Sequence, residues 1–372
     1  MDIRSIKSFL VKSLVSDSVK LVLALLAVFF LFVVAVGAQK GLAARAENQK
    51  VLAELNQAGA PAAKPAGDNR LQDPWREGWD GAMRFLSGRN LETIARQTTI
   101  VGLAALGMTI VIIAGGIDLS VGSAVALATI VIAWFLGRMP SPSIAAILAV
   151  ATCALFGLLS GLAITRLRVV PFIVTLGMML LVRGAAKGLS HEQKIDAPET
   201  WLNGLLASLL PDQRWMLVPV GVWVLIAMAM VTALVLRYTK LGRHAFALGS
   251  NEQTARLCGV AVDRVKLGIY TLCGAFAGLA GVMQFSRLTV GDPTVANGLE
   301  LDVIAAVVIG GGSLSGGEGS VLGSLAGALI MTVIRSGCSQ MGMPNWVQEI
   351  ITGIIIIAAV ALDRRRHRRA AE

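Results

Sequence analysis

Ten apolar stretches follow one another along this 372-residue chain, and they limit its possible folds more than any other feature. Most are close to the length of about 20 mostly apolar residues that a helix needs to cross a bilayer. Only 15% of the residues are charged and mean hydropathy is +0.71, which leaves too little charge to cover a soluble protein of this size. We therefore expect an all-α polytopic transmembrane helical bundle of about 10 spans. The stretches are residues 18–38, 92–114, 117–137, 143–164, 169–189, 215–237, 266–286, 299–312, 317–335 and 346–362.

The composition also excludes several classes of protein. A hydrophobic content of 55% is incompatible with intrinsic disorder or a fibrous repeat. The four cysteines are widely spaced and form no CxxC pair, and the three histidines are far apart. We therefore expect no disulfide scaffold, no metal site, no redox centre, no catalytic residues and no cofactor in this chain.

The first apolar stretch has two interpretations. Lys7, Lys12 and Lys20 could form the basic region of a signal peptide, with residues 36–38 as its cleavage site. The uncharged run 21–39 is longer, however, than the 7–15 residues of a typical signal-peptide core. A transmembrane helix that is retained is favoured.

The distribution of Lys and Arg predicts the orientation of the chain. If the N-terminus is cytoplasmic, the cytoplasmic segments are 1–20, 165–168, 237–266 and 363–372, and they hold 17 of the 33 basic residues. Cytoplasmic loops carry such an excess of positive charge. We expect both termini to be cytoplasmic, so the formal net charge of +10 reflects orientation rather than nucleic-acid binding.

The domain organisation follows from these spans. Residues 1–17 are expected to be a cytoplasmic N-terminal segment, 18–362 the membrane domain and 363–372 a basic cytoplasmic tail. Within the membrane domain, 39–90 is expected to be an extracytoplasmic insertion and 238–265 a cytoplasmic loop.

The insertion contains both acidic and basic residues. We interpret it as an addition to the membrane domain rather than as a separate domain. Residues 41–57 could extend the first helix. Alanine, glycine and proline dominate 58–67, which favours a flexible linker.

A glycine-rich break at 114–123 is the first feature that could carry a function. It contains Asp118 between two apolar stretches, although an aspartate at the centre of a bilayer costs about 2.5–3.5 kcal/mol on insertion scales. Asp118, Ser120 and Ser123 could cap the helix that follows. Alternatively, these residues and Gly116 could line a translocation path.

A second glycine-rich break at 309–320 echoes the first. Interrupted apolar segments in both halves of a chain are typical of transporters built from internal repeats. Gly312, Ser313 and Ser315 are therefore further candidates for the path or its gate. A phosphate-binding loop is not expected, because the chain contains no Gly-Lys pair.

The cytoplasmic loop contains a short predicted helix at 252–258. Either Asn251 alone, or a capping box of Ser250 with Gln253, would begin this helix, and Gly259 would end it. A helix of two turns is too short to be stable by itself, so it must be packed. It either rests on the membrane face of its own chain or docks a cytoplasmic partner.

Taken together, these motifs resemble the ribose/xylose/galactose-type permeases of ABC importers, in the branched-chain amino acid/ribose permease superfamily. The resemblance covers roughly residues 90–362, although the length of 39–90 departs from the pattern. The stretches that carry it are 116–123, 171–177, 241–243, 251–260 and 308–313.

The resemblance implies a permease subunit that is not itself an enzyme. It implies a second permease copy, cytoplasmic ATPase subunits that hold ATP-Mg, and an extracytoplasmic sugar-binding protein that delivers a monosaccharide. It further implies a multi-pass protein of the bacterial inner membrane that binds lipid bilayer but no nucleic acid. The short helix would couple the chain to the ATPase through Asn251, Glu252, Thr254, Ala255, Arg256, Leu257 and Gly259.

Another class of transporter remains open on the residues alone. An ion-coupled secondary transporter would use Asp118, Asp302 or Glu318 as a proton or sodium site. These acids lie at glycine breaks or at predicted span ends, however, rather than as pairs in mid-helix. A membrane-embedded enzyme is less favoured, because no cluster of His, Cys or carboxylate residues is evident.

Overall fold

The structure, a computed structural model, describes residues 3–57, 73–139, 141–209 and 216–371. The linker predicted at 58–67 lies outside the described residues. The described residues form α-helices, one short 3-10 helix and a pair of two-residue strands. The elements are α1 (Ile3–Gln57), α2 (Pro74–Phe85), α3 (Gly88–Ile113), α4 (Val121–Leu136), α5 (Pro142–Leu167), α6 (Pro171–Leu189), β1 (Ile195–Asp196), the 3-10 helix (Trp201–Leu206), α7 (Val220–Tyr238), α8 (Lys240–Ser250), α9 (Glu252–Leu257), α10 (Val262–Leu288), β2 (Val290–Gly291), α11 (Leu299–Ile309), α12 (Val321–Gln340) and α13 (Asn345–Ala371).

Each of the ten predicted stretches coincides largely with a helix. In the described residues, seven helices are long and apolar enough to cross a membrane: α1, α3, α5, α6, α7, α10 and α12. Helices α4 and α13 have shorter apolar segments, and α11 has only 11 residues. The prediction of an all-α, multi-pass membrane protein is confirmed, and the count of ten stays a prediction.

Helix α3 is the centre of the molecule. Its apolar segment is 89% buried, whereas that of α1 is 6% buried. A helix that is apolar on every side is stable in this position because it has no polar face to expose. Helices α7, α10, α11 and α12 pack around it, and α1 lies at the periphery.

Small residues let the helices approach closely. A Cβ atom at Gly274 of α10 would overlap the carbonyl oxygen of Cys153 in α5, and one at Gly278 would lie 2.8 Å from the Cα of Val150. Gly327 of α12 packs in the same way on α11. Helices α5, α10, α11 and α12 therefore pack with their backbones in close contact, as small residues at helix interfaces allow.

Helices α4 and α11 begin inside the molecule rather than at its ends. After β2 pairs antiparallel with β1, the chain passes along α4: Asp292 contacts Thr129, and Glu300 lies against Gly122 in the first turn of α4. Residues 292–298 therefore run alongside α4 towards its N-terminus, and we call this segment the descending connection. It places the start of α11 in the interior of the molecule.

Helix α2 was not predicted. It begins at Pro74 because Asp73 accepts a hydrogen bond from the Trp75 N–H at 3.0 Å and proline needs no donor in the first turn. It runs antiparallel to α1, which extends to Gln57 as the sequence suggested. Residues 39–90 therefore include the last part of α1 and the whole of α2.

Candidate functional site

The first glycine break follows directly from the end of α3. Gly115 has a φ of +77°, a conformation that glycine adopts without the penalty of a side chain. Its N–H donates to the Ile112 carbonyl at 2.9 Å, and the N–H of Gly116 donates to the Val111 carbonyl at 2.9 Å. These bonds satisfy the last carbonyl groups of α3 and turn the chain away from its axis.

Asp118 closes a turn before α4 rather than capping the helix. Its Oδ1 accepts hydrogen bonds from the N–H of Ser120 at 2.9 Å and from the Ser120 hydroxyl at 2.6 Å. Ser120 is the N-cap residue, but its side chain makes no capping bond, and the buried hydroxyl of Ser123 has no partner in the described part of the chain. The expectation that these three side chains cap α4 is wrong, because Asp118 bonds to Ser120 itself.

The carboxyl group of Asp118 lies against α10. Asp118 is 1% exposed, and its carboxyl group lies beside the Cys273 side chain. The neighbouring Gly116 packs so closely on Tyr270 that a Cβ atom would overlap the tyrosine hydroxyl. The first break is thus fixed against α10 on one side.

The second glycine break folds back on itself between α11 and α12. The N–H of Gly312 donates to Val307 at 2.9 Å, and that of Ser313 donates to the Glu318 carbonyl at 3.2 Å. The hydroxyl groups of Ser313 and Ser315 lie 3.1 Å apart. The predicted candidates in this break therefore form one closed loop.

The two breaks meet each other at Gly249, the penultimate residue of α8. The N–H of Gly317 donates to the Ile113 carbonyl at 2.8 Å. A Cβ atom at Gly249 would overlap both of these atoms. A Cβ atom at Gly316 would lie 2.7 Å from the Gly249 carbonyl oxygen and 2.9 Å from the Cα of Gly115. We call Gly115, Gly249, Gly316 and Gly317 the glycine junction.

Helix α9 begins at Glu252, three residues after Gly249 of the junction. Asn251 caps it by accepting the Thr254 N–H at 2.8 Å, which decides between the two predicted starts. Gly259, with φ of +83°, ends it, and the N–H of Val260 returns to the Ala255 carbonyl at 3.0 Å. Both ends of this short helix are therefore closed by local bonds.

Salt bridges hold α9 on the start of α10. Lys266 contacts both carboxylate oxygens of Glu252 at 2.9 Å, and Arg256 lies 3.3 Å from Asp263. On its outer side, α9 exposes Leu257, whose exposed fraction is 88%. The predicted residues of this helix divide into a buried Ala255 and an exposed remainder, and an apolar side chain projects from the exposed part.

A small cavity connects α9 with the first break. Its volume is about 110 Å³, and Gly115, Gly116, Glu252, Lys266 and Tyr270 are among its lining residues. The Glu252–Lys266 ion pair therefore faces the same space as the break. A displacement of α9 would change this space directly.

A charged cluster lies away from the junction, where α6, α11 and α12 surround the descending connection. Arg183 of α6 donates to the carbonyl groups of Pro293 at 3.0 Å and Val295 at 2.8 Å. Asp302 of α11, 1% exposed, pairs with Arg335 of α12 at 2.6 Å. We call this arrangement the charged cluster.

Arg183 and Arg335 were not among the predicted site residues. The signal that could have found them is an arginine inside, or at the end of, an apolar stretch, since such a charge requires a partner. The structure does not bring the predicted Gly116 and Gly312 into contact with each other, because the breaks meet through Gly115 and Gly316. Among the residues that the structure describes, no group of three His, Cys, Asp or Glu could hold a metal ion.

Comparison with known proteins gives the family. Residues 90–360 match the family described as "Branched-chain amino acid transport system / permease component". The chain is 38% identical over 282 residues to the "Ribose import permease protein RbsC" of Escherichia coli (strain K12), which covers 76% of this chain and 88% of that protein. Helices α1 and α2 lie before the family match.

Two further relatives are permeases for other sugars. The "Fructose import permease protein FrcC" of Rhizobium meliloti is 35% identical over 286 residues, covering 76% of this chain and 79% of the relative. The "L-arabinose ABC transporter permease protein AraH" of Azospirillum brasilense is 35% identical over 288 residues, covering 77% and 84%. No solved structure matches the chain.

Proposed function

This chain belongs to the branched-chain amino acid transport system / permease component family, and from that premise we propose that it is the permease subunit of an ATP-driven importer of a monosaccharide. Its relatives are named as permeases, so the chain is a transporter subunit rather than an enzyme. The names ribose, fructose and arabinose among those relatives support a monosaccharide as the substrate class.

The contact of Gly249 with both breaks carries the proposed mechanism. Gly249 lies two residues before Asn251, the cap of α9, so a displacement of α9 acts on the ends of α3 and α11 through backbone contact. ATP binding would close the ATPase subunits, shift α9 and move the two breaks together. The breaks, with Gly116, Asp118, Ser120, Ser123, Gly312, Ser313 and Ser315 as candidates, would form the gate on the cytoplasmic side.

This proposal includes ten spans with both termini cytoplasmic. The contacts at the glycine junction support it, since ten spans would bring the two breaks and the α8–α9 loop to one side of the membrane. The pairing of β1 with β2 belongs to the opposite side. The bacterial inner membrane is the proposed location.

The partners follow from the same function. Cytoplasmic ATPase subunits would bind the exposed side of α9, with Leu257 as an apolar contact, and would hold ATP and magnesium themselves. An extracytoplasmic binding protein would deliver the sugar, and a second permease copy would complete the path. No nucleic acid is expected to bind.

The charged residues argue against ion coupling. Asp118 accepts two hydrogen bonds from Ser120, and Asp302 pairs with Arg335. Both carboxyl groups therefore already bind neighbouring residues, through hydrogen bonds or an ion pair. A coupling carboxylate would have to leave these partners during each cycle.

Reconstitution into proteoliposomes tests the proposal. The chain with its ATPase and binding protein should take up labelled ribose, fructose or arabinose only when ATP is present on the ATPase side. The chain alone should show no uptake driven by a proton or sodium gradient. Gradient-driven uptake by the chain alone would contradict the proposed function.

The role of α9 can be tested with two exposed leucines. Leu257→Asp should abolish ATP-dependent uptake, because it puts a charge on the apolar contact, while assembly in the membrane stays normal. Leu217, which is 82% exposed before α7, provides the matched control. If Leu257→Asp and Leu217→Asp have equal effects, α9 is not the docking helix.

A further inference from the structure

A basic cleft lies where α1, α2 and the start of α3 meet the end of α12. Its volume is about 390 Å³, and its lining includes Lys40, Arg84 and Arg89 but no carboxylate. Among the residues that the structure describes, none of these three cations forms an ion pair, including with Glu77 or Asp80 on α2. Three unpaired positive side chains at one cleft form a site for an anion.

The cleft is built by close backbone packing rather than by chance positions of long side chains. A Cβ atom at Gly78 would lie 3.0 Å from the Gly37 carbonyl oxygen, so α1 and α2 touch through their backbones. At Gly81 a Cβ atom would lie 2.9 Å from Cγ of Lys40, which shows that α2 supports the stem of this lysine. The packing of α1 on α2 therefore forms the wall that carries Lys40 and Arg84 before any ligand binds.

The base of the cleft is a buried polar residue whose side-chain NH2 group and oxygen atom each have a hydrogen-bond partner. Asn90 is 9% exposed, and its side chain donates to the Phe85 carbonyl at 2.8 Å and accepts from the Ser336 hydroxyl at 3.1 Å. These bonds connect the α2–α3 corner to α12. The cationic side chains of the cleft thus surround a base that is itself held in place by hydrogen bonds.

The face of α2 that points away from the cleft indicates the depth of the cleft relative to the bilayer. Trp75, Trp79, Met83 and Leu86 are exposed and follow one another at helical spacing of three or four residues, which gives one apolar stripe. Gly41, two residues beyond the end of the uncharged run of α1, packs on Pro74. Tryptophan is enriched at this depth, where the hydrocarbon ends and the headgroups begin.

We propose that this cleft binds the phosphate of an anionic phospholipid. The guanidinium groups of Arg84 and Arg89 can each hold two phosphate oxygens, and the lysine adds a further charge. The apolar stripe keeps α2 at headgroup depth. A phosphate in this cleft therefore comes from the bilayer.

Native mass spectrometry of the full-length chain in detergent tests this site, with phosphatidylglycerol as the added lipid. Arg84→Gln/Arg89→Gln should lower the apparent affinity for phosphatidylglycerol at least about tenfold. The matched control is Arg138→Gln/Lys187→Gln, which removes the same charge from exposed cations elsewhere and should retain the lipid. A thermal unfolding curve in detergent checks that both variants are folded.

Three outcomes would overturn the proposal. The first is equal retention of phosphatidylglycerol by the wild type and by Arg84→Gln/Arg89→Gln. The second is binding of inorganic phosphate without retention of the lipid, which would assign the cleft to a soluble anion. The third is lost uptake in this variant with unchanged lipid retention, which would assign the cleft to docking of an acidic protein.

Discussion

The glycine junction and the charged cluster lie at opposite ends of α11 and α12 and hold them in place by opposite means. At the junction, Gly249 and Gly316 bring three chain segments into backbone contact because there are no side chains between them. In the charged cluster, Asp302 and Arg335 hold α11 to α12 through an ion pair. The junction requires positions that have no side chain, whereas the charged cluster requires the two charged side chains of its ion pair.

This difference determines which changes each region can tolerate. An ion pair can be replaced as a unit, since two apolar side chains of suitable volume remove both the charge and its partner. A backbone contact has no such replacement, because every L-residue other than glycine adds a Cβ atom. The charged cluster is therefore adaptable, and the glycine junction is not.

The largest effect is expected from Arg335→Met. It leaves Asp302, which is 1% exposed, without its cation, and such a loss typically costs about 3–5 kcal/mol. Thermal unfolding in detergent would measure the change. The double variant Asp302→Leu/Arg335→Met should recover most of the stability, and a double variant that is no more stable than the single one would contradict the comparison.

Gly249→Ala is expected to cost about 3 kcal/mol, since its Cβ overlaps the Ile113 carbonyl and the Gly317 N–H. ATP-dependent uptake should be lost as well. Gly115→Ala is the matched control, because a Cβ there would lie 3.7 Å from the nearest atom and the cost is the strain of φ +77°, about 1 kcal/mol. If Gly115→Ala is the more damaging of the two, close packing does not dominate the junction.

The smallest effect is expected from Asn251→Ala. It removes the cap of α9 and should cost about 1 kcal/mol, confined to that helix. Hydrogen exchange of the α9 amides measures this local loss. Asn251→Ser retains a capping oxygen, so the α9 amides should stay protected from exchange and uptake should be unchanged. Reduced uptake with normal protection in this variant would contradict a purely capping role and would indicate that Asn251 contacts the ATPase.

Sequence reasoning works best where one residue decides the local geometry. The short helix α9 was predicted with an end at Gly259 and two possible starts, at Ser250 or at Asn251. The structure shows the start at Asn251 and the end at Gly259. The resemblance of 90–362 to sugar permeases is confirmed by the family match. Local bonds and ordered motifs are visible in a sequence because they involve neighbouring residues.

Contacts between distant segments could not be predicted in this way. Gly249 lies 67 to 134 residues from the other glycines of the junction. In the sequence, nothing distinguishes it from the other glycines of the chain. The same applies to Arg183, which binds carbonyl groups of 293 and 295. Helix α2 was missed for a different reason: its cap signal at Asp73–Pro74 was present but not used.

The cavity of about 110 Å³ between α9 and the first break suggests how the proposed gate would respond to pressure. It has room for several water molecules, and charged and hydroxyl groups line it. Any movement of α9 that compresses this space changes the volume of the protein together with its hydration. If the two breaks form the proposed gate, its opening and closing would therefore be sensitive to hydrostatic pressure, which favours the state with the smaller total volume.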